Sequence, residues 1–558
     1  MHPLAIGCRS PPGPAILLAP MAAPDPNADA GSADLAALRA QAQQALDFFE
    51  RALADRGMLI HLDEELRRRL LEVAGRVARP DPWQKREFLR EARRQRKEQK
   101  RAEDERKLSS TGIRKLRREA VFLTPPALPA PVAPGGDIDA ELAALADDAP
   151  WIEAAPAASA EPRVVRDERN CYVCKTTFTE LHHFYDSMCQ RCGDFNFGKR
   201  QQTADLRGRV AVVTGARVKI GYQASILLLR AGCRVVATTR FPHDAALRYS
   251  READFEEWRD RLHVHGLDLR HTPSVEAFCR HLDRTLDRLD FLISNACQTV
   301  RRPAGFYQHL MDQERAPISA LPPGAQQVLR SHEALRLQPA SGGGGASTLP
   351  ALLDVLRQHD APELSQRQLL AEDLVPGGAL FPAGKLDQDL QQIDLRAENS
   401  WRMPLADVTT VELLEVQLVN AIAPFVLNAR LKPLMLRVPT RDKHIVNVSA
   451  MEGQFYRSFK TDKHPHTNMA KAALNMMTRT SAKDFVRDGI HMNSVDTGWV
   501  TDEDPAEIAA RKTEEHGFHP PLDIVDGAAR IVDPIFGGFR TGVHMWGQFL
   551  KDYTPTHW

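Results

Sequence analysis

The stretch "RVAVVTGARVKIGYQASILLLRAG", Arg209 to Gly232, passes from apolar β-branched residues through glycines into a segment with helical spacing. This order predicts a buried strand, a tight turn and a helix. Gly215 and Gly221 allow the turn, and the backbone N–H groups at the start of such a helix can face a phosphate group. The stretch therefore predicts a nucleotide-binding strand–turn–helix unit.

Similar apolar runs alternate with helical segments along the rest of residues 204–558. They are "CRVVATTR", "LHVHGLDL", "LDFLISNA", "KHIVNVSA" and "GIHMNSVDTG". Continuous apolar strands between helices are typical of a parallel sheet that is covered on both faces. The predicted fold class is α/β, a doubly wound Rossmann sheet. An insertion at 298–401, which contains "ASGGGGAS", is far longer than an ordinary loop and is predicted to be partly disordered or a lid over the site.

The segment "TGARVKIGYQ", Thr214 to Gln223, resembles the TGxxxGxG fingerprint of the short-chain dehydrogenase/reductase family. The resemblance extends from Leu206 to the C-terminus, apart from the insertion. Lys219 replaces the middle glycine, and its side chain obstructs the closest approach of the backbone to a pyrophosphate. The charges of Lys219 and Arg217 can attract phosphate in compensation.

The resemblance implies a pyridine dinucleotide, and the end of the second strand indicates which one. Thr239 and Arg240 stand where an NAD-binding member usually carries an acid, and a guanidinium suits a 2′-phosphate. We therefore expect NADP rather than NAD, although an exposed arginine after a strand is the simpler alternative. The cofactor-binding residues that the resemblance implies are Gly215, Arg217, Lys219, Ile220, Gly221, Thr239, Arg240, Asp268, Leu269, Asn295, Ala296, Lys471, Gly498 and Val500.

The family's catalytic set of Asn, Ser, Tyr and Lys is only half retained. Asn420 in "LEVQLVNAIAPFVLN" and Lys471 in "AKAALN" match the asparagine and the lysine. Ala450 stands at the serine, and Ser449, one residue earlier on an alternating strand, is expected to face the other way. Thr467 stands at the tyrosine, and an aliphatic hydroxyl is a far weaker acid than a phenol.

Three nearby residues are alternatives for the missing acid. Tyr456 begins "YRSFK", which has the YxxxK spacing but precedes the active helix, and His464 and His466 lie directly before that helix. The candidate catalytic residues are Asn420, Lys471, Thr467 and Tyr456. Two functions remain open: an NADP(H)-dependent oxidoreductase acting on a carbonyl or alcohol, or an inactive NADP-binding sensor or scaffold.

A cysteine module is predicted at 166–203. The segment "CYVCKTTFTELHHFYDSMCQRC" contains two CxxC pairs, whose spacing is typical of a structural zinc site. His182 or His183 as a replacement ligand, and a redox dithiol, are alternatives. The predicted ligands are Cys171, Cys174, Cys189 and Cys192.

The N-terminal third has a different composition. Residues 1–33 are predicted to be a disordered lead, 34–123 a helical region and 124–165 an acidic linker rich in Pro and Ala. Within the helical region, 83–119 is strongly basic. Its interleaved Glu residues favour a solvated, self-paired helix over a nucleic-acid contact.

The overall composition of the chain indicates which partners and which cellular location to expect. Lys plus Arg and Asp plus Glu both total 73, so the whole chain is not a polycation directed at nucleic acid. No sequence run suggests a membrane span, and eight cysteines do not suggest a disulfide framework. We expect a soluble cytoplasmic protein with a small-molecule substrate, and the family resemblance adds a homo-oligomer.

Overall fold

The structure is a computed structural model that describes residues 26–126, 163–337, 360–374, 378, 380–456 and 460–558. The chain divides into two compact units, 1–99 and 100–558. Residues 1–25 of the predicted lead, the greater part of the acidic linker and the glycine tract of the insertion lie outside the described residues.

The first unit is helical. It contains α1 (Pro26–Ala54), α2 (Glu64–Ala78) and the start of α3 (Pro82–Ser109). Because α1 begins at Pro26, residues 26–33 are helical and the helical region is longer than predicted. Arg94 pairs with Glu91 and Glu98 along one face of α3, as expected of a self-paired helix.

The basic stretch 83–119 is not one solvated helix throughout. It breaks after Ser109, and the short helix α4 (Gly112–Leu116) follows. Ile113 is 1% exposed, and buried Arg114 forms an ion pair with Asp186 of the cysteine module. The expectation of a solvated helix is wrong for its last part, because apolar residues there enter a core.

The cysteine module consists of a hairpin and a helix. Strands β1 (Val164–Asn170) and β2 (Thr177–Glu180) pair antiparallel, and α5 (Gln190–Arg200) follows. Tyr185 is fully buried and donates a hydrogen bond of 2.5 Å to Asp526 in the large domain. Arg200 contacts Asp523 at 2.5 Å, so charged and polar contacts fasten the module to the end of the sheet domain.

The predicted doubly wound α/β sheet is confirmed. Its strands are β3 (Val210–Thr214), β4 (Arg234–Thr239), β5 (Leu262–Gly266), β6 (Phe291–Ser294), β7 (Lys443–Ser449), β8 (Ile490–Asp496), β9 (Phe549–Lys551) and β10 (Thr554–Thr556). The spatial order is β10-β9-β8-β7-β6-β3-β4-β5, and every pair except β9–β10 is parallel. The strand order switches from one side of β3 to the other between β5 and β6, so β3 and β6 are neighbours at the switch point. Ligands of such sheets bind outside the strand ends at this point.

The described residues between 219 and 541 contain twelve α-helices. They are α6 (Lys219–Arg230), α7 (Pro242–Tyr249), α8 (Phe255–Trp258), α9 (Thr272–Thr285), α10 (Gln308–Arg315), α11 (Pro323–Leu337), α12 (Ala361–Ser365), α13 (Thr410–Gln417), α14 (Ala423–Leu436), α15 (Pro465–Arg487), α16 (Ala506–His516) and α17 (Ile524–Thr541). One core is formed with α6, α11 and α17, and the other with α9, α14 and α15. Both sheet faces are therefore dry, which explains why the strands are apolar throughout.

A π-helical turn, Leu418–Ile422, joins α13 to α14 in one segment, Thr410–Leu436. By length and composition alone this segment could cross a membrane. Leu427, Leu431 and Leu434 are fully buried in the core over the sheet, which is the behaviour of a core helix.

The described parts of the insertion are folded. Tyr307 and Phe306 pack with Phe381 and Phe241. Arg301 forms a two-pronged ion pair with Asp373, at 2.7 and 3.0 Å. These described residues therefore form a packed segment, and a role of the insertion as a lid stays a prediction.

Candidate functional site

A cavity of about 1310 Å³ lies at the carboxyl ends of the parallel strands. The fourteen residues that the sequence predicted for cofactor binding all line this cavity. They are Gly215, Arg217, Lys219, Ile220, Gly221, Thr239, Arg240, Asp268, Leu269, Asn295, Ala296, Lys471, Gly498 and Val500. Residues separated by almost three hundred positions are brought together because parallel strands deliver their carboxyl ends to one edge of the sheet.

The glycine turn has the close packing that its sequence predicts. Gly215 has φ +67°, and a Cβ atom there would lie 2.8 Å from the Cα atom of Ala296. At Gly221 a Cβ atom would lie 2.3 Å from the side-chain nitrogen of Asn295. That nitrogen donates to the carbonyl oxygens of Thr214 and Gly215, at 3.0 and 3.2 Å. Asn295 therefore holds the turn against the end of β6.

Lys219 departs from this pattern. It has φ +57°, a left-handed conformation that costs a residue with a side chain about 1–2 kcal/mol. Burial lowers its pKa, but the carboxylates of Glu503, Asp389 and Asp387 outweigh that effect, so the pKa lies above its ordinary value. The ammonium group therefore lies in the field of nearby acids, of which Glu503 and Asp387 line the cavity.

Arg240 lies at the end of β4 against aromatic rings of the insertion. Its guanidinium donates a hydrogen bond of 2.5 Å to the hydroxyl of Tyr307 and lies 4.6 Å from the centre of that ring. Arg217, by contrast, forms an ion pair of 2.7 Å with Asp244. Arg240 also acts on Asp268, another residue of the cavity lining, whose pKa it helps to lower.

The two retained family positions are placed differently. Lys471, on α15, lines the cavity and donates a hydrogen bond of 2.8 Å to the carbonyl oxygen of Val448. Asn420 lies in the π-helical turn, behind the cavity wall. Its amide accepts from the backbone N–H of Gln298 at 2.7 Å and donates to the carbonyl oxygen of Gln298 at 3.0 Å. Asn420 therefore anchors a wall residue instead of facing the cavity.

The structure does not bring the candidate acids to the cavity. Thr467 is 2% exposed, and its hydroxyl has no hydrogen-bond partner in the described part of the chain. Tyr456 is 87% exposed. The His464 ring stacks on Trp401, and His466 is buried near Glu412. None of these four candidates is among the residues that line the cavity, and the placement of Thr467 and Tyr456 corrects the candidate catalytic set.

Ser449 and Ala450 both line the cavity at the end of β7. The Ser449 hydroxyl is buried and has no hydrogen-bond partner among the described residues. Ala450 leaves the serine position of the family without a hydroxyl.

Three polar residues that the sequence interpretation missed line the same end of the cavity. Asp496 ends β8, Lys551 ends β9, and Tyr172 comes from the cysteine module. Asp496 could have been identified from the sequence, because it is an acidic residue at the end of an apolar strand. Tyr172 had no such signal, because only tertiary packing brings the module to the cavity.

The four predicted ligand cysteines converge. Their sulfur atoms all lie within 4.8 Å of one another, and Cys174 and Cys189 are 3.8 Å apart. His182 and His183 are not part of this cluster of possible metal ligands. The Nδ1 atom of His182 instead accepts the backbone N–H groups of Phe184 and Tyr185. Four thiol donors at this separation have the arrangement that a tetrahedral zinc ion requires.

Comparison with known proteins adds the following. Residues 209–314 match the family model described as short chain dehydrogenase, and residues 384–519 match the model described as enoyl-(acyl carrier protein) reductase. An uncharacterized protein of Acanthamoeba polyphaga mimivirus is 31% identical over 394 residues, covering 69% of this chain and 74% of that protein. Dehydrogenase/reductase SDR family member 13 of Bos taurus is 39% identical over 106 residues, covering 18% of this chain and 27% of that protein.

Two solved structures are also similar. The Pseudomonas aeruginosa RhlG/NADP active-site complex has a TM-score of 0.38 at 17% identity, covering 62% of this chain and 95% of that one. Landomycin C-6 ketoreductase LanV with bound NADP and rabelomycin has a TM-score of 0.37 at 16% identity, covering 63% and 97%.

Proposed function

We propose, from the premise that residues 209–314 and 384–519 match short-chain dehydrogenase and enoyl reductase family models, that the chain is a short-chain dehydrogenase/reductase and an NADP(H)-dependent oxidoreductase that acts on a carbonyl or alcohol substrate. The observation that carries the proposal is the cavity at the strand ends, which gathers the glycine turn, Arg240 and Lys471. Bound NADPH supplies a hydride to a carbonyl carbon.

The residues present fit such a cofactor. Gly215 and Gly221 let the turn pack against Ala296 and Asn295, where no Cβ atom would fit. Both glycines also line the cavity at the start of α6, where backbone N–H groups can face a pyrophosphate. Arg240 offers a guanidinium to a 2′-phosphate, and its stacking on Tyr307 orients that group in advance. Lys471 would hold the nicotinamide ribose, in keeping with the family position that it matches.

We propose a structural zinc ion for Cys171, Cys174, Cys189 and Cys192. A shell of four thiolates leaves no open position for a substrate. Binding of zinc to a module this small contributes directly to its folding. The module's contacts with Asp523 and Asp526 would then depend on the metal.

The missing tyrosine favours a second function. Because Thr467 is buried away from the cavity, no tyrosine substitute lies on the active helix, and a protein that binds NADPH without turnover would serve as a sensor or scaffold. In that role the cysteine module and the basic helical region would provide the interaction surfaces.

Turnover separates the two functions, since both involve NADPH binding. The experiment measures NADPH affinity by fluorescence and NADPH oxidation with a carbonyl panel, using the full chain. We expect binding together with oxidation that Lys471→Ala abolishes and that Lys483→Ala, an exposed lysine on the same helix, leaves unchanged. Tight binding without oxidation across the panel would favour the sensor, and no binding of either dinucleotide would exclude both functions.

A further inference from the structure

Three neighbouring strand ends place polar residues side by side at one end of the cavity. Ser449 of β7 is in register with Asp496 of β8, and Asp496 is in register with Lys551 of β9. All three residues line the cavity. A carboxyl group and an ammonium group therefore stand next to the position where Ala450 lacks the family's hydroxyl.

The Asp496 carboxyl group is held in place. One oxygen accepts the backbone N–H of Met451 at 3.3 Å, and the other lies 3.5 Å from the Lys551 ammonium group. Met451 directly follows Ala450, which stands at the serine position of the family. This hydrogen bond therefore holds the carboxyl group close to the place where the serine hydroxyl is missing. Asp496 is 6% exposed, so bulk water reaches it only through the cavity.

Burial raises the pKa of Asp496 above its ordinary value. The charged groups that face it act in both directions: Lys551 and Arg530 lower the pKa, whereas Glu452 and Asp552 raise it. The Tyr172 ring lies 5.5 Å from the Lys551 ammonium group and adds to the apolar surroundings. An acid that keeps its proton above the usual range of aspartate is suited to protonate a substrate oxygen.

We propose that Asp496 is the proton donor of this site, in place of the missing tyrosine, and that Lys551 positions it. This inference rests on the proposed oxidoreductase function. In the reduction direction, hydride adds to the carbonyl carbon and the π electron pair moves to the oxygen. The Asp496 O–H bond breaks and its proton passes to that oxygen, which gives the alcohol, NADP⁺ and the Asp496 carboxylate. Solvent protonates the carboxylate again through the cavity mouth.

A purely structural role for Asp496 makes different predictions. Asparagine can still accept the Met451 N–H, so Asp496→Asn preserves the anchoring contact while removing the proton. If anchoring were the whole role, this variant would keep wild-type turnover. If Asp496 is the donor, it loses the roughly hundredfold or greater contribution of general acid catalysis.

The experiment compares the full-length wild type with Asp496→Asn, Lys551→Met and the control Asp484→Asn, which removes an exposed carboxylate on α15 that pairs with Lys432 and does not line the cavity. We measure kcat against pH, NADPH affinity, and the infrared band of protonated carboxyl groups in the unliganded protein. We expect Asp496→Asn to lose kcat about a hundredfold, with NADPH affinity within about threefold of the wild type.

The donor role predicts the direction of change in two further measurements, the pH profile of kcat and the infrared band of protonated carboxyl groups. In the wild type kcat falls as pH rises through the Asp496 pKa, and Lys551→Met moves this fall to higher pH because a nearby cation is removed. At pH values below the Asp496 pKa, one protonated-carboxyl band of the wild type is missing from Asp496→Asn, whereas the band of buried Glu314, whose pKa is raised to about 8, is present in both proteins.

The outcomes separate the two proposals. An active wild type whose Asp496→Asn variant keeps its kcat or its infrared band overturns the donor role and leaves the oxidoreductase function standing. A wild type that binds NADPH but is inactive across the panel overturns both. If Asp496→Asn does not fold, an unshifted pH profile in Lys551→Met overturns the donor role.

Discussion

The hydroxyl of Tyr172 accepts a hydrogen bond of 3.1 Å from the backbone amide of Trp499. Tyr172 lies between Cys171 and Cys174, and Trp499 lies between the two cavity residues Gly498 and Val500. The cysteine module is therefore part of the wall of the proposed active site. Loss of order in the module should therefore weaken the binding of a dinucleotide, although none of the four cysteines of the cluster lines the cavity.

Cys174→Ser tests this connection. We expect the variant to lose its equivalent of zinc, to melt at lower temperature and to bind NADPH more weakly, because Tyr172 no longer has a fixed position. Metal analysis, thermal unfolding and fluorescence titration measure these effects. Cys297→Ser is the control for zinc content, as Cys297 is exposed and outside the cluster. Undiminished zinc in Cys174→Ser would refute the proposed ligand set.

Arg240→Ala tests the preference for NADP. A charge-assisted hydrogen bond to a phosphate is worth about 1.5–3 kcal/mol, so NADPH affinity should fall about tenfold to a hundredfold while NADH affinity stays nearly constant. The control is Arg315→Ala, which removes an exposed arginine paired with Glu363. Equal losses for both dinucleotides would mean that Arg240 does not recognise the 2′-phosphate.

Thr467→Tyr tests whether the family's tyrosine can simply be restored. Thr467 is 2% exposed and does not line the cavity, so a phenol ring must displace its neighbours at a cost of about 1–3 kcal/mol. We expect a lower melting temperature and no gain in turnover. Thr467→Val keeps the shape, and because the threonine hydroxyl has no partner among the described residues, we expect unchanged or higher stability. A more active Thr467→Tyr would contradict the placement.

Glu314 gives the stability of the protein a pH dependence. Burial raises its pKa to about 8, although it accepts the backbone N–H groups of Asp244 and His243. The folded state keeps a proton that the unfolded state loses, so stability falls as pH rises from about 4.5 to about 8. The loss is on the order of a few kcal/mol.

Glu314→Gln should remove this part of the slope while the other groups titrate as before. Urea unfolding of both proteins over the same pH series measures the difference. Parallel curves for the wild type and the variant would show that Glu314 is ionised throughout.

The strand–turn–helix of Gly215 and Gly221, the parallel sheet and the cofactor end of the cavity were all predictable from sequence. Apolar strands, turn glycines and the charge of Arg240 can each be recognised from a few neighbouring residues in the sequence. Each also acts on the structure close to its own position in the chain. The four cysteines were predictable for the same reason, because CxxC spacing sets the geometry of each pair by itself. The early start of α1 and the burial of residues 104–116 were missed, because helix length and packing depend on neighbours that composition does not reveal.

The amino-acid sequence by itself determined the order of strands and helices and a glycine turn suited to a phosphate. It also determined that Thr467 and Ala450 replace the tyrosine and the serine of the family's catalytic set. Only the tertiary structure decided which side chains meet at the other end of the cavity. There, residues from three strand ends and from the cysteine module come together, although they lie far apart along the chain. The physical reason is that a proton donor is defined by burial and by neighbouring charges, as at Asp496 and Lys551, and these exist only once the sheet has aligned its strand ends.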